Sequence, residues 1–496
     1  MYNIPSGKKR VDILTLVALF LVFIGYKHAR GSALLETLGD STELSGMLAR
    51  VESTGISATY FNPALLSFAP AQFKAGFFTI GQNLSIKLMD RPSGVDISDA
   101  IYRARQLNPD GTTSRLEIRP LPTAELRAKR GSYDASGWLS FFEFGTVVGF
   151  GAKRPFSLGF FALIPTADFQ GQQPFFVDER EQYFSNSLHF ELLEDRFSGA
   201  VFVLALAWRP LGWLSLGAGA LMANSTRAVS GIFMPDASNQ QDARTISRVS
   251  VNTRLVPHFG VVAEDQSWRV AATLHFPLQN KVVGQGELQF WNYDYPEGQT
   301  ALYQNFSFVH GFLPWRVSLG GRYLLGPPQG LGGWLSADIL WSQWSAYQNR
   351  MNERPLDHWS DTFAPTLGGG LRVGMHEISL QAGYVPSPVP AQTGRTNYVD
   401  NDRLQLGLGY QWRFDLGSSR LSLGAHLSAI HLLYRSVKKS PDAEHPVIDE
   451  FPDSVDIATN QFIPESAGLQ TNNPGYPGFS SSGWLFSLGV ALRYCR

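Results

Sequence analysis

The chain has 496 residues, with 41 Lys and Arg against 42 Asp and Glu, for a net charge of −1 at pH 7. So even a balance leaves no basic footprint for nucleic acid, and no nucleic-acid motif occurs. A single cysteine, Cys495, excludes an intramolecular disulfide framework. The chain is rich in Gly (48), Phe (34) and Trp (12), yet its mean hydropathy is −0.09. After the N-terminus no apolar run reaches the roughly 18 residues of a transmembrane helix. Alternating segments, in which apolar and polar residues average out, fit these numbers.

In chain order, Lys8, Lys9 and Arg10 form a basic start, residues 13–24 a short apolar run, and Gly31, Ser32 and Ala33 a small-residue cleavage site. This pattern predicts a signal peptide over 1–33, cut after Ala33, with Ala29 the rival point and a retained anchor the alternative. Asp12, at the mouth of the apolar run, is atypical for either. Residues 34–70 show little alternation, and 34–51 read as short helices and turns.

From residue 71 onward the period is two. In residues 404–414, Leu404, Leu406, Leu408, Tyr410, Trp412 and Phe414 oppose Gln405, Gly407, Gly409, Gln411 and Arg413. A strand sends successive side chains to opposite faces, so one face is greasy and the other small or polar. The same alternation recurs at 213–221, 421–429 and 486–494. Faces built of Gly, Ser and Arg make poor soluble cores, which favours a transmembrane antiparallel β-barrel, an all-β fold, over a sandwich. Candidate strands lie at 72–88, 138–150, 156–168, 196–209, 213–233, 247–264, 268–290, 304–325, 333–347, 363–375, 376–388, 401–414, 419–437 and 482–496. These make 14, an even number as bacterial single-chain barrels require. Trp138, Trp208, Trp213, Trp315, Trp341, Trp412 and Trp484 fall near strand ends, as interfacial aromatics do. The short link Arg209-Pro210-Leu211-Gly212 reads as periplasmic, and the long polar stretches 91–136, 170–195 and 436–481 as extracellular. Tyr476-Pro477-Gly478 is turn chemistry.

No catalytic signature, P-loop or spaced Cys/His metal cluster is present, so neither enzyme activity nor a cofactor or metal is expected. His376-Glu377 lacks the second histidine of a zinc site. His426 and Ser428 share the inward face, and His431 breaks their parity; lumen polarity accounts for them better than a lipase-type pair. Arg413 and Arg493 also face inward and suit either a ligand carboxylate or a polar network within the lumen.

Three ordered motifs carry a resemblance. Tyr60-Phe61-Asn62-Pro63-Ala64-Leu65-Leu66-Ser67 stands just before the first strand. Ser387-Pro388-Val389-Pro390 is followed by Asp400-Asn401-Asp402-Arg403 and the strand described above. The third, residues 338–347, carries Trp341-Ser342 and Trp344-Ser345. Arg196-Phe197-Ser198-Gly199, Trp213 to Gly217 and Gly483-Trp484-Leu485-Phe486 are weaker matches in the right order. From about residue 55 to the end the chain resembles the FadL family of outer-membrane transporters for long-chain fatty acids and other hydrophobic compounds, including its aromatic-hydrocarbon branch.

The resemblance implies a barrel over 71–496, plugged by an N-terminal hatch at 34–70. Phe61, Asn62, Pro63, Ala64 and Leu65 fall in the hatch motif, and Ser387, Pro388, Val389, Pro390, Asp402 and Arg403 in a family signature. It further implies passive, ligand-gated uptake of a hydrophobic small molecule, released sideways into the bilayer through a kinked third strand. Pro165 in the predicted strand 156–168 is the candidate kink, because it lacks a ladder N–H. Leu163 and Ile164 flank that opening; the alternative is that Pro165 simply ends the strand. Implied partners are the hydrophobic ligand, outer-membrane lipid and lipopolysaccharide, and the barrel-assembly machinery, with the protein a monomer. Two departures stand out. The Gly-rich start of the family's hatch is replaced by Leu34 to Gly39 and Met47 to Arg50, and Cys495-Arg496 trail the terminal aromatic Tyr494. A general porin, a barrel enzyme and an adhesin are the rival classes.

Overall fold

The structure is a computed structural model. It describes residues 32–89, 132–151, 155–167, 190–197, 199–234, 244–291, 299–326, 331–349, 357–392, 397–439 and 478–496, with a few short pieces between them. The predicted signal peptide lies outside the described residues except for its last two positions, as do most of the loops at 91–136, 170–195 and 436–481.

The alternation builds a closed barrel. Its strands are β1 (Gln72–Leu88), β2 (Ser132–Phe150), β3 (Phe156–Pro165), β4 (Val201–Leu211), β5 (Leu214–Met234), β6 (Arg244–Glu264) and β7 (Trp268–His275). After a hairpin, β8 (Leu278–Trp291) and β9 (Gln299–Leu313), come β10 (Arg316–Leu325), β11 (Leu331–Ser342) and β12 (Thr362–Val373). The last four are β13 (His376–Val385), β14 (Arg403–Leu416), β15 (Ser419–Lys438) and β16 (Gly478–Cys495). Each barrel strand pairs antiparallel with its neighbours, β7 with β10 across the hairpin and β1 with β16 to close the ring. Fourteen strands therefore form the wall. Gln72 opposes Cys495, so both chain ends of the barrel lie at the end where the turns are short.

One expectation is revised. The predicted strands 268–290 and 304–325 each split in two, at Phe276-Pro277 and Pro314-Trp315. Proline has no N–H for the ladder. Each ladder stops there, and the intervening β8–β9 hairpin leaves the ring.

The outward face is the greasy one. On β14, Leu404, Leu406 and Leu408 are 46, 58 and 47% exposed, while Arg403, Gln405, Gly407 and Gly409 between them are buried. All fourteen wall strands carry exposed large apolar side chains, from Phe73 and Phe77 on β1 to Val490 and Leu492 on β16. Soluble monomers rarely expose apolar patches beyond a few hundred Å². A belt around a whole barrel belongs in hydrocarbon, and closing the ring gives each wall strand a partner on both sides. No helix among the described residues is long and apolar enough to cross a membrane.

The N-terminal segment lies inside the ring. It contains α1 (Ser32–Leu38), α2 (Ala49–Glu52), α3 (Ala58–Phe61) and a 3-10 turn (Pro63–Phe68), and nearly all of residues 34–66 are buried. Leu34, Leu38, Val51, Ile56, Phe61 and Leu65 join wall residues such as Phe78, Phe161 and Val203 in one core.

Candidate functional site

Four acids of the inner segment meet four cations of the wall. Glu36 pairs with Arg316 on β10, Asp40 with Lys74 on β1 at 3.6 Å, and Glu52 with Arg322 on β10 at 3.3 Å. Glu43 reaches Lys74 at 3.3 Å and Arg493 on β16 at 3.6 Å. Lys74 is 0% exposed and also contacts Glu143 on β2, whose carboxylate accepts from Thr42 Oγ1 at 3.2 Å. Burial raises the pKa of Glu36, but Arg316 and Arg50 override it and hold the carboxyl far below its ordinary range. Asp40 follows the same course: burial raises it, and Lys74 with three hydrogen-bond donors brings it below normal. For Glu52 burial prevails over Arg322 and Arg269, and its pKa rises. Desolvated pairs of this kind hold together only when both partners stay in place.

Between the ion pairs, the inner faces of the strands are cut to fit backbone. Gln381 Oε1 accepts from Met47 N at 2.7 Å, and its Nε2 donates to Leu44 O at 2.9 Å. Gln405 donates to Thr37 O at 3.1 Å. On β14, a Cβ at Gly409 would press on the Leu44 backbone at 2.9–3.0 Å, and on β5 one at Gly217 would collide with Pro63-Ala64. The small residues of the inward face are therefore docking surface for the segment within.

The motif Phe61 to Leu65 sits at the centre of this contact. Asn62 is extended; its Oδ1 accepts from Ala64 N at 3.2 Å, capping the 3-10 turn that Pro63 opens, and its Nδ2 donates to Arg50 O at 2.9 Å. Ala64 O accepts from Ser215 Oγ of β5 at 2.7 Å. The imidazoles of His258 and His275 contact Thr59 O and Phe61 O at 2.7 and 3.3 Å, so α3 ends on wall hydrogen bonds. Tyr60 OH donates to Glu36 Oε1 at 2.6 Å, tying this motif to α1.

The signature around 387–403 forms the rim of a pocket at the long-loop end. Ser387 N donates to Asp402 Oδ1 at 2.7 Å, and Arg403 donates to Asp400 Oδ1 at 2.8 Å. Arg435 on β15 gathers the proline-rich chain, donating to Val389 O at 2.7 Å, Pro390 O at 2.9 Å and Asp400 O at 3.0 Å. Pro388 and Pro390 have no N–H, so this stretch offers carbonyls and needs a donor. Arg435 escaped the sequence reading; an arginine far along a strand, opposite a Pro-x-Pro loop, is the signal that points to it.

The pocket itself has apolar walls. Leu278, Val309, Phe312 and Leu313 come from the β8–β9 hairpin, Leu340, Ala364 and Val385 from the barrel, and Pro386 and Pro388 from the signature loop. Trp344 and Tyr347 join them, with Tyr347 stacked on Trp359 at 3.6 Å and edge-on to Phe312 at 5.6 Å. Ala33, Glu36 and Thr37 of α1 supply the floor. Two of the polar groups that reach the pocket are paired with each other, and one of them holds a phenol. Glu191 meets Arg196 at 2.9 Å and accepts from Tyr347 OH; burial, then the Glu191 charge, push that phenol well above its ordinary pKa.

The other expected residues fall elsewhere. Leu163 is fully buried on β3, Ile164 is half-buried, and Pro165 is the last residue of the strand, opposite Phe141. Pairing with β4 stops at Leu163–Val201. Arg413 and Arg493 sit at the short-turn end, paired with Glu377 and Glu43. Ser428 Oγ hydrogen-bonds Ser487 Oγ at 2.6 Å, and His426 is buried with neither ring nitrogen hydrogen-bonded, so the two do not form a nucleophile–base pair.

Fold and site together define a plugged, fourteen-stranded transmembrane barrel with an apolar pocket above the plug. The sequence matches no protein-family model and no curated protein. Among solved structures, a Pseudomonas aeruginosa FadL homologue superposes with a TM-score of 0.52 at 15% identity, covering 92% of this chain and 98% of that one. The Pseudomonas putida toluene transporter TodX follows at a TM-score of 0.42 and 12% identity, over 94% of this chain and 98% of that one. The first of these likenesses shows the FadL barrel fold that the motifs suggest.

Proposed function

We propose that this protein is an outer-membrane channel for passive, ligand-gated uptake of hydrophobic small molecules, with residues 34–70 acting as its hatch and release directed sideways into the bilayer. The observation that carries the reading is the apolar pocket whose floor is the hatch itself: a ligand there touches Glu36 and Thr37 directly. Glu36 is also tied to Arg316, Arg50 and Tyr60, so pocket occupancy reaches Asn62-Pro63-Ala64 through one hydrogen-bonded chain. Burial of apolar ligand surface, at about 25 cal/mol per Å², supplies the driving force without an energy-coupling motif. The FadL fold and the apolar belt support an outer-membrane address, with lipid and lipopolysaccharide around the barrel, insertion by the assembly machinery, and a monomer as the working unit.

The test is uptake of labelled toluene and labelled oleate into proteoliposomes. Saturable entry that collapses on Glu36→Gln or Asn62→Ala is expected. Equal flux after deletion of residues 34–68 would refute the hatch role. A polar-solute porin instead requires steady ion conductance in planar bilayers, where this filled lumen is expected to be nearly silent.

A further inference from the structure

Among the described residues, strands β3 and β4 stop short of their neighbours in the long-loop half of the wall, and a hairpin that springs from the far side lies beside them. Strand β3 ends at Pro165 and β4 begins at Val201, while their neighbours run on. On one side β2 extends back to Ser132, paired with β1 throughout but with β3 only from Phe141 onward. On the other, β5 continues to Met234, well past Leu221 where its ladder with β4 ends. Among the described residues two free edges therefore flank a gap above β3 and β4.

Strand β8 occupies one of those edges. It pairs parallel with β5 over Val282–Phe290 against Thr226–Met234, and among the described residues β9 pairs only with β8. Yet β8 and β9 spring from β7 and β10, on the other side of β6. The hairpin leaves its own ladder, passes two strands and docks beyond them. Its roots are Phe276-Pro277 and Pro314-Trp315, where the missing proline N–H interrupts both ladders and leaves two natural hinges. Among the described residues one parallel ladder, the weaker kind per residue, joins it to the wall, its base is tied to Gln348 and Asn352 through Gln279, and its outer edge is unpaired. The pocket meets the same hairpin near its roots, at Leu278, Val309, Phe312 and Leu313.

We infer that the β8–β9 hairpin is the gate leaf of the lateral exit: docked on β5 it seals the wall, and swung off it opens a passage above β3 and β4 from pocket to bilayer. The inference rests on the uptake reading above. A ligand in the pocket presses on the leaf near its hinges, so loading and opening are linked through side chains already in contact. The gate passes uncharged or amphipathic molecules that the hydrocarbon accepts, and it discriminates by width.

A disulfide lock tests it. With the native thiol removed (Cys495→Ser), Val283→Cys and Arg227→Cys stand opposite each other on β8 and β5. Oxidation is expected to lower uptake of labelled toluene at least ten-fold, and reductant to restore it. Equal rates in the two states overturn the gate. A control lock, Leu427→Cys with Leu488→Cys on β15 and β16, is expected to change nothing; an equal loss there also overturns it. Should the parent protein move neither toluene nor oleate, the uptake reading fails, and the leaf is judged by spin labels at Ser136→Cys and Val283→Cys. Two distance populations support a moving leaf, and one narrow population in every condition overturns it.

Discussion

The two faces of each wall strand solve opposite problems. Outside, Leu404, Leu406 and Leu408 need nothing from any particular partner, because any hydrocarbon satisfies them. Inside, buried Lys74, Arg316 and Arg493 and half-buried Arg322 each pair with particular acids of the hatch. The outer face is therefore tolerant and redundant, whereas the inner face is specific and brittle. Breaking one residue on each face measures the contrast.

The largest effect is expected inside. Lys74→Met leaves buried Asp40 and Glu143 without their cation, and removing one partner of a buried pair costs about 3–5 kcal/mol. Thermal unfolding in detergent is expected to show that loss, with Lys74→Arg intermediate. If Lys74→Met unfolds like the parent, the cluster contributes little and the inner face is not brittle.

This asymmetry also explains what the sequence disclosed. Barrel, strand number and outward face follow from parity alone, since lipid imposes one rule on every strand. The hatch contacts do not. Glu36, Asp40, Glu43 and Glu52 look like ordinary surface acids on a short helical segment, and only the fold brings them to cations up to 450 residues away, as with Glu43 and Arg493. The strands 268–290 and 304–325 ran together in the reading because alternation resumes on either side of Pro277 and Pro314. The prolines were visible, but the destination of the hairpin was not, because a parallel ladder to β5 has no local signature.

Outside, Leu406→Arg is expected to cost about 2–4 kcal/mol if Leu406 lies near the bilayer midplane. Leu406→Phe is expected to cost almost nothing. Folding titrations into lipid vesicles measure both, and parity between the arginine and phenylalanine variants would disprove lipid contact at this face. Smaller again is Arg435→Met, which leaves the carbonyls of Val389, Pro390 and Asp400 without their donor. About 1–3 kcal/mol of local order is at stake. Faster amide exchange is expected in residues 386–402 with the melting of the barrel unchanged, and exchange that stays at the parent rate would remove Arg435 from the signature's support.

The mildest prediction concerns pH, and it separates the hatch acids from one another. Glu36 and Asp40 have lowered folded-state pKa values. Their contribution is thus complete above the unfolded carboxylate value of about 4 and is lost only as pH falls through the lower folded values. Glu52 is raised, so its contribution is largest in acid and declines as pH climbs through its folded pKa. Between pH 8 and 5 the first two lose nothing, and Glu52 can only strengthen the folded state as protons return. The hatch is therefore expected to stay shut across that range and to loosen below about pH 4, read as the onset of conductance in planar bilayers. Conductance appearing already between pH 7 and 5 would mean that groups other than these acids hold the hatch.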